Sequence, residues 1–267
     1  MNHWRWIGSL TAAVLSLGMA AVPVEYAGRT ASFDVGDGPM TPELWTQMFG
    51  NGTPAANRDF GRIDGGAFVV THKQGKKVSE TGFSSQPKLP PRQQYTLQFR
   101  IKYPENFQAG LHGKQLGFSG GKGYDGGRGE QARTDGDGWS VRLQFDSRQD
   151  AVTNQLYVYH SRMPGKYGDS LGTSAQRYAI KRGEWSTLRL KVTMQSSADA
   201  EDGKIEVWQD GQKRFDVTGV KFVSDESGRQ IDRLRMEVFA GGGGEFPTAD
   251  QDVMIDDIQW SDVDITP

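Results

Sequence analysis

The sequence predicts an all-β protein built as an antiparallel two-sheet β-sandwich. Short segments with apolar residues at every second position recur from residue 67 to residue 260, which is typical of strands with one buried face. No convincing amphipathic helix of twelve residues is present. The 35 glycines and the 10% aromatic residues favour many turns and strands over helices.

Length and charge narrow the class of protein further. A chain of 267 residues can bury one large core, and sandwiches of this size commonly form a single domain. The net charge of -2 excludes the overall basic field of nucleic-acid-binding proteins. The sequence has no cysteine, which excludes disulfides and a lipoprotein anchor.

The N-terminus predicts a signal peptide at residues 1–20. Arg5 provides a positive charge, residues 7–17 are mostly apolar, and Gly18-Met19-Ala20 has the small-x-small form of a cleavage site. The apolar run is short for a membrane span, so a retained N-terminal anchor is the less favoured alternative. We therefore expect a secreted or periplasmic protein that has no membrane contact after cleavage.

The rest of the chain is predicted as one unit with a lead-in. Residues 21–60 are expected to form an irregular N-terminal segment packed on the domain, and residues 61–267 the domain itself. Its predicted strands cover residues 67–72, 95–103, 139–145, 155–161, 185–195, 204–209, 213–217, 233–240 and 253–260.

Alternation justifies these strands, and turn residues separate them. In the strand from residue 185, Leu188, Leu190 and Val192 occupy one face and polar residues the other, as expected for a core face and a solvated face. Asp210-Gly211 predicts a tight hairpin, because both residues tolerate positive φ. Many antiparallel strands at this spacing favour a jelly roll of the concanavalin-like type.

Several chemically capable residues fall on successive strands. Lys114 lies in the glycine-rich run LHGKQLGFSGG at residues 111–121, expected to be a loop. Ser140 and Arg142 are two residues apart, as are Tyr157 and Tyr159, so each pair shares one face of a sheet. A lysine, an arginine and two tyrosines on one sheet face can remove a proton beside a carboxylate. This pattern predicts a lyase acting on a uronic-acid polysaccharide.

The run YTLQFRIKYPENFQAGLHGKQLGFSGG resembles the core motif of polysaccharide lyase family 14, the jelly-roll alginate and glucuronan lyases. The segments DGWSVRLQF, LYVYH, WSTLRLKV, GKIEVWQDG, EVFAGGGGEF and VMIDDIQW follow in similar order, so the resemblance covers about residues 65–260. It implies cleavage by β-elimination, with alginate as the first choice of substrate and glucuronan as the second.

The resemblance also implies roles for individual residues. The catalytic residues it implies are Lys114, Arg142, Tyr157 and Tyr159, and it implies Ser140 as a substrate-binding residue. His112 and Gln115, which stand beside Lys114 in the same run, are also predicted to bind the substrate. Two positions depart from the family pattern. The usual lysine-leucine-proline-glycine is Lys114-Gln115-Leu116-Gly117 here, and His112 replaces a more common glycine, so His112 is either a substrate contact or a loop histidine with a local partner.

Two assignments of the base remain open at this level. Cations within ~4–6 Å of a tyrosine would lower its pKa and allow it to act as base and acid. Lys114 is the alternative base if its amine is partly desolvated. Lys114 and Arg142 can neutralise the substrate carboxylate, so no metal cofactor is expected for catalysis, although a structural calcium ion is left open.

Two other classes of function compete with the lyase. A glycoside hydrolase would need two carboxylates facing each other on the sheet, and the strand of Arg142 has none there. A non-catalytic carbohydrate-binding protein of the same fold would not need a lysine opposite the tyrosine pair. We therefore expect a monomeric enzyme whose partner is an anionic polysaccharide and not a nucleic acid.

Overall fold

Two antiparallel β-sheets dominate the computed structural model, which describes residues 28–50, 61–77, 80–172 and 178–265. The predicted signal peptide at residues 1–20 lies outside the described residues. In chain order the strands are β1 (Arg29–Ala31), β2 (Gly38–Pro39), β3 (Arg62–Asp64), β4 (Ala67–His72), β5 (Phe83–Ser85), β6 (Lys88–Arg92), β7 (Gln94–Lys102), β8 (His112–Gly121), β9 (Gly138–Ser147), β10 (Val152–Tyr159), β11 (Tyr178–Ile180), β12 (Trp185–Thr193), β13 (Gly203–Gln209), β14 (Gln212–Val220), β15 (Ile231–Ala240) and β16 (Gln251–Ser261). The helices are α1 (Pro42–Phe49), α2 (Gly129–Thr134) and a 3-10 turn, Glu226–Gly228.

The strands of the described residues divide into one nine-stranded and one seven-stranded sheet. The nine-stranded sheet has the order β14-β13-β12-β7-β16-β4-β3-β2, with β1 pairing to β16. The seven-stranded sheet has the order β11-β10-β9-β8-β15-β5, with β6 pairing to β15. The predicted all-β, two-sheet jelly roll is confirmed, and the predicted strands all occur. No helix among the described residues is long and apolar enough to cross a membrane.

The core lies between the two sheets and follows the alternation of the sequence. On β12, Leu188, Leu190 and Val192 are fully buried, whereas Arg189 and Lys191 are only half-buried on the other face. Residues from both sheets form one continuous apolar cluster. Burial of this kind is the main favourable contribution to folding.

The predicted hairpin at Asp210-Gly211 is confirmed. The two residues join β13 to β14 and have φ angles of 50° and 77°. Positive φ at both central positions is the geometry that matches the twist of paired strands. An aspartate and a glycine adopt it at low steric cost.

The lead-in is more ordered than the sequence indicated, because residues 42–49 form α1. The Thr41 hydroxyl accepts a hydrogen bond from the Leu44 amide at 3.2 Å, and Gly50 ends the helix with φ at 76°. Trp45 and Phe49 are buried, and their rings stack with centroids 4.0 Å apart. An eight-residue helix is shorter than the window in which helical periodicity is visible, which is why an irregular segment was expected.

Candidate active site

Lys114 lies on strand β8 of the seven-stranded sheet and not in a loop as predicted. It pairs in register with Gln144 of β9 on one side and with Phe239 of β15 on the other. Glycine content alone suggested a loop, but these glycines allow neighbouring strands to approach closely. A Cβ atom at Gly113 would lie 2.1 Å from the carbonyl oxygen of Phe239, a distance that no side chain tolerates.

A row of residues from four strands forms the floor of the site. Arg235 of β15 pairs with Gly117 of β8, Gly117 with Arg142 of β9, and Arg142 with Tyr157 of β10. A Cβ atom at Gly117 would lie 2.0 Å from the carbonyl oxygen of Val141. The bare glycine therefore allows β8 to approach β9 closely at this row, and the row brings the predicted arginine and tyrosine together.

Lys114 is held close to Tyr157 in a nearly dry position. The lysine is 9% exposed, and its Nζ lies 3.6 Å from the centroid of the Tyr157 ring. Its Nζ also donates a hydrogen bond to Oε1 of Gln144. Burial, followed by the nearby charge of Arg142, lowers the pKa of Lys114 from its ordinary value of 10.5 to about 7. A substantial fraction of Lys114 is thus a neutral amine near neutral pH.

The tyrosine pair lies on one face of β10, as predicted, while Leu156 and Val158 enter the core. The rings of Tyr157 and Tyr159 have centroids 5.8 Å apart. Only Tyr157 is half-exposed, because Tyr159 is fully buried. Each hydroxyl accepts a backbone hydrogen bond at 3.0 Å, from Gly168 to Tyr157 and from Gly127 to Tyr159.

The protonation state of Tyr157 is opposite to the one expected if a tyrosine were the base. Burial, followed by the neighbouring Tyr159, raises the pKa of Tyr157 to about 12, although Arg142 acts to lower it. Desolvation of a phenolate outweighs the attraction of the cation. Tyr157 therefore keeps its proton at neutral pH and is suited to donate it.

Arg142 belongs to a buried chain of alternating charges. Its Nη1 lies 2.6 Å from Oε2 of Glu237, whose Oε1 lies 2.5 Å from Nη2 of Arg235. Arg235 also pairs with Asp125, and Asp125 with Arg128 at 2.9 Å. Burial acts to raise the pKa of Glu237, but Arg235 and Arg142 outweigh it, and the pKa is lowered. The carboxylate of Glu237 is thus ionised and fixes the guanidinium of Arg142.

Arg142 retains capacity for further hydrogen bonds. Its Nε and Nη2 are buried and have no hydrogen-bond partner among the described residues. Its guanidinium carbon lies 5.4 Å from the centroid of Tyr157 and 5.8 Å from that of Tyr159. The side chain is only 4% exposed, so Arg142 acts from beneath the tyrosine rings. From this position Arg142 provides a fixed positive charge beneath the site.

His112 reaches the site through Gln144. The Nε2 atoms of the two side chains are 2.5 Å apart. Since Oε1 of Gln144 accepts from Lys114, its amide nitrogen donates, and Nε2 of His112 is the acceptor. With the Gln144 amide in this orientation, the tautomer of His112 that can accept is the one with its proton on Nδ1. The structure therefore brings His112 to the candidate site, half-buried beside Lys114.

Two of the predicted substrate-binding residues, Ser140 and Gln115, are buried in this structure. Ser140 is fully buried and donates to the backbone oxygen of Tyr124 at 2.6 Å. Gln115 is also fully buried and donates to the hydroxyl of Tyr103 within the core. A β-bulge explains Gln115, because Gln115 and Leu116 together stand opposite a single residue of β9. Gln115 faces the core, whereas Ser140 lies on the face of Arg142 and is covered by the Tyr124 backbone. The role of both residues as substrate contacts stays a prediction.

Glu237, Arg235 and Gln144 are site residues that the sequence reasoning missed. The strand predicted at residues 233–240 alternates apolar residues with Arg233, Arg235 and Glu237, so three charged side chains share one face. Gln144 is two residues beyond Arg142 and therefore on the same face of β9. These patterns were visible in the sequence, but their pairing across strands was not. Within the described residues no group of three His, Cys, Asp or Glu side chains is placed to hold a metal ion.

Comparison with known proteins identifies the family. The family model described as polysaccharide lyase 14 matches residues 66–257, well over half of the chain. The solved structure of alginate lyase Aly36B is similar in fold, with a TM-score of 0.78 and 20% identity over 90% of this chain and 98% of that one. No curated protein sequence matches.

Two further solved structures share the fold. Alginate lyase vAL-1 from Chlorella virus has a TM-score of 0.66 and 17% identity, covering 85% of this chain and 99% of that one. The marine PL-14 alginate lyase from Aplysia kurodai has a TM-score of 0.61 and 17% identity, covering 89% and 98%. The match of the family model, and the fold that these structures share, show that the chain belongs to polysaccharide lyase family 14.

Proposed function

We propose that this protein is an exported polysaccharide lyase that cleaves a uronic-acid polymer by β-elimination, with alginate as first choice and glucuronan as second. Membership of the family supports the reaction class. The solved structures similar in fold include alginate lyases, and a variant of Aly36B was solved with an alginate tetrasaccharide. The signal-peptide pattern at residues 1–20 supports export.

The observation on which the proposal rests is the contact between Lys114 and Tyr157, whose pKa values are shifted in opposite directions. The pKa of Lys114 falls to about 7 and that of Tyr157 rises to about 12, although Nζ lies 3.6 Å from the ring centroid. A pair separated in this way provides a neutral base and a protonated acid at the same pH. A protein that only binds sugars has no need of a desolvated lysine.

The two residues account for every proton in the elimination. The amine of Lys114 takes the proton from C5 of the uronate, and the electrons of that C–H bond form the C4–C5 double bond. The C4–O4 bond breaks, and the hydroxyl of Tyr157 protonates O4 of the leaving sugar. Arg142, held by Glu237, contributes a positive charge that stabilises the enolate-like form of the carboxylate. Gln144 orients the amine of Lys114 by accepting one of its hydrogens.

Ultraviolet absorbance tests this function, because the C4–C5 double bond formed is conjugated to the carboxylate. Folded protein should be incubated with alginate, polymannuronate, polyguluronate, glucuronan and hyaluronan from pH 5 to pH 10. The rate should rise as the pH passes about 7, because Lys114 loses its proton there. The rate should then stay high up to pH 10, because Tyr157 is still protonated at that pH. Binding of a uronan without any absorbing product would favour the non-catalytic carbohydrate-binding alternative.

A further inference from the structure

Two exposed aromatic side chains flank the candidate active site, and each has a lysine against its ring. Phe246 is 54% exposed and Tyr167 is 63% exposed. Nζ of Lys77 lies 4.0 Å from the centroid of Phe246, and Nζ of Lys166 lies 5.5 Å from that of Tyr167. The same pairing of an exposed ring with an ammonium thus occurs twice.

Phe246 stands at the His112 end of the site. It belongs to the connection between β15 and β16, which is bound closely to the start of β8. The amide of Gly241 donates to the carbonyl oxygen of His112 at 2.6 Å, and a Cβ atom at Gly244 would lie 2.5 Å from Cβ of His112. Lys77 donates a hydrogen bond to the carbonyl oxygen of Gly244 and so stabilises the loop that contains Phe246.

Tyr167 stands at the tyrosine end of the site. Its neighbour Gly168 donates to the Tyr157 hydroxyl at 3.0 Å. A Cβ atom at Gly127 would lie 3.3 Å from the Tyr167 ring, and the amide of Gly127 donates to the Tyr159 hydroxyl. Beside this ring lies a cavity of about 450 Å³ lined by Gly127, Glu130, Gln131, Arg133, Gly165 and Lys166.

A chain of contacts places the catalytic pair between the two rings. The loop of Phe246 is bonded to His112, and the side chain of His112 contacts Gln144, which accepts from Lys114. Lys114 lies against Tyr157, whose hydroxyl accepts from Gly168 beside Tyr167. A polymer that reaches both rings therefore passes over Lys114 and Tyr157.

The two ammonium groups are also available for an anionic ligand. Within the described residues, Lys77 and Lys166 form no salt bridge. Two lysines close to Lys77 in the chain do so, since Lys73 pairs with Asp250 and Lys76 pairs with Glu80. A uronate offers both groups that such a pair can bind. The C–H face of the sugar ring packs on an aromatic ring, and the carboxylate pairs with the ammonium.

We propose that the Lys77–Phe246 and Lys166–Tyr167 pairs are outer subsites, each of which binds one uronate residue of a polymer lying across the catalytic pair. This inference rests on the proposed function and extends it to the mode of attack. A polymer held on both sides of the scissile bond is cut in its interior. The enzyme is therefore an endo-lyase that favours long chains over short ones.

Chain-length dependence tests the subsites. For Phe246→Ala and Tyr167→Ala, kcat/KM should be measured on the polymer and on the shortest uronan oligosaccharide that the wild type cleaves. The ratio of polymer to oligosaccharide should fall about fivefold in each variant, the size of one lost aromatic contact. Val35→Ala removes an equally exposed apolar side chain, 54% exposed, from outside the site and should leave the ratio unchanged. Circular dichroism establishes that each variant is folded.

The products give a second readout. With the wild type, the viscosity of the polymer should fall before much absorbance accumulates, and early products should be several sugars long. Release of only the smallest products from the start, or ratios in both aromatic variants within twofold of wild type, would overturn the subsites while leaving the lyase intact. If the wild type forms no absorbing product on any uronan, the proposed function fails instead. Weaker binding of the polymer by both aromatic variants, in affinity electrophoresis, would then still support the two binding sites.

Discussion

Among single residues, Lys114 shows how burial changes the chemistry of a side chain. In water a lysine is a cation and cannot remove a proton at neutral pH. On β8 the lysine is 9% exposed and close to Arg142, and its pKa falls to about 7. The same burial raises the pKa of Tyr157 to about 12. One desolvated position thus produces both a base and an acid, because low polarity favours the neutral form of each.

Replacement of Lys114 by methionine should separate activity from stability. Lys114→Met removes the base, so the elimination rate should fall by about 100-fold or more. The variant should also resist unfolding better than the wild type at pH 6. Below pH 7 the buried ammonium of Lys114 destabilises the folded protein by its full amount. Between about pH 7 and 10.5 only the unfolded chain binds the proton, so this destabilisation declines as the pH rises.

Urea unfolding at several pH values measures that difference. The stability advantage of Lys114→Met should be largest at pH 6 and should shrink steadily by pH 10. Lys181→Met, at an exposed lysine paired with Glu184, is the control and should show no such trend. An advantage that stays constant with pH would show that the pKa of Lys114 is not lowered.

The two tyrosines should differ when each loses only its hydroxyl. Tyr157→Phe removes the proposed acid and should lower kcat by about 10²–10⁴. Tyr159→Phe should be milder, because Tyr159 is fully buried and its hydroxyl accepts from Gly127. Initial rates by absorbance on the preferred uronan compare the two. A larger loss in Tyr159→Phe would transfer the acid role away from Tyr157.

Between strands, the pairing of Glu237 with Arg142 connects β15 to β9 and fixes the charge beneath the site. Glu237→Gln leaves the buried guanidinium of Arg142 without its carboxylate and leaves Arg235 with Asp125 alone. Removal of one partner from a buried pair costs about 3–5 kcal/mol. The variant should therefore be strongly destabilised to urea and should lose activity. The double variant Glu237→Gln with Arg235→Gln restores the balance of charge and should recover part of the stability.

A matched control lies on the other sheet. Glu206 pairs with Lys204 at 2.9 Å and with Lys213 at 2.6 Å, but both lysines are at least one-third exposed. Glu206→Gln should therefore cost less than about 1 kcal/mol, as solvated pairs usually do. Equal losses in Glu237→Gln and Glu206→Gln would mean that the buried chain of charges has no special role.

For the molecule as a whole, α1 closes one side of the core. The Trp45 ring lies 4.6 Å from that of Phe83, and Phe49 stacks on Trp260 at 5.6 Å. Trp45→Ala should lower the free energy of unfolding by about 3–5 kcal/mol, because it leaves a large cavity. Denaturant unfolding measures the loss, and Val35→Ala on the same segment should have little effect. A loss near zero would show that the sandwich is complete without α1.

Features that depend on local periodicity could be predicted from the sequence alone. Alternation identified the strands, and residues two apart on one strand necessarily share a face, so the pairs Ser140 with Arg142 and Tyr157 with Tyr159 were placed correctly. The Asp210-Gly211 turn followed from the φ angles those residues tolerate. The order of motifs, which spans most of the chain, identified the family.

What covers each face of a strand, and which residues meet across strands, depends on the tertiary structure. Ser140 lies on the same face as Arg142, but the Tyr124 backbone covers it. A β-bulge directs the side chain of Gln115 into the core. Glu237 reaches Arg142 only because β8 lies between β9 and β15 with a glycine at the crossing. Burial and ionic pairing depend on segments far apart in the chain, so no local pattern contains them. The lowered pKa of Lys114, which depends on that burial, could be known only from the fold.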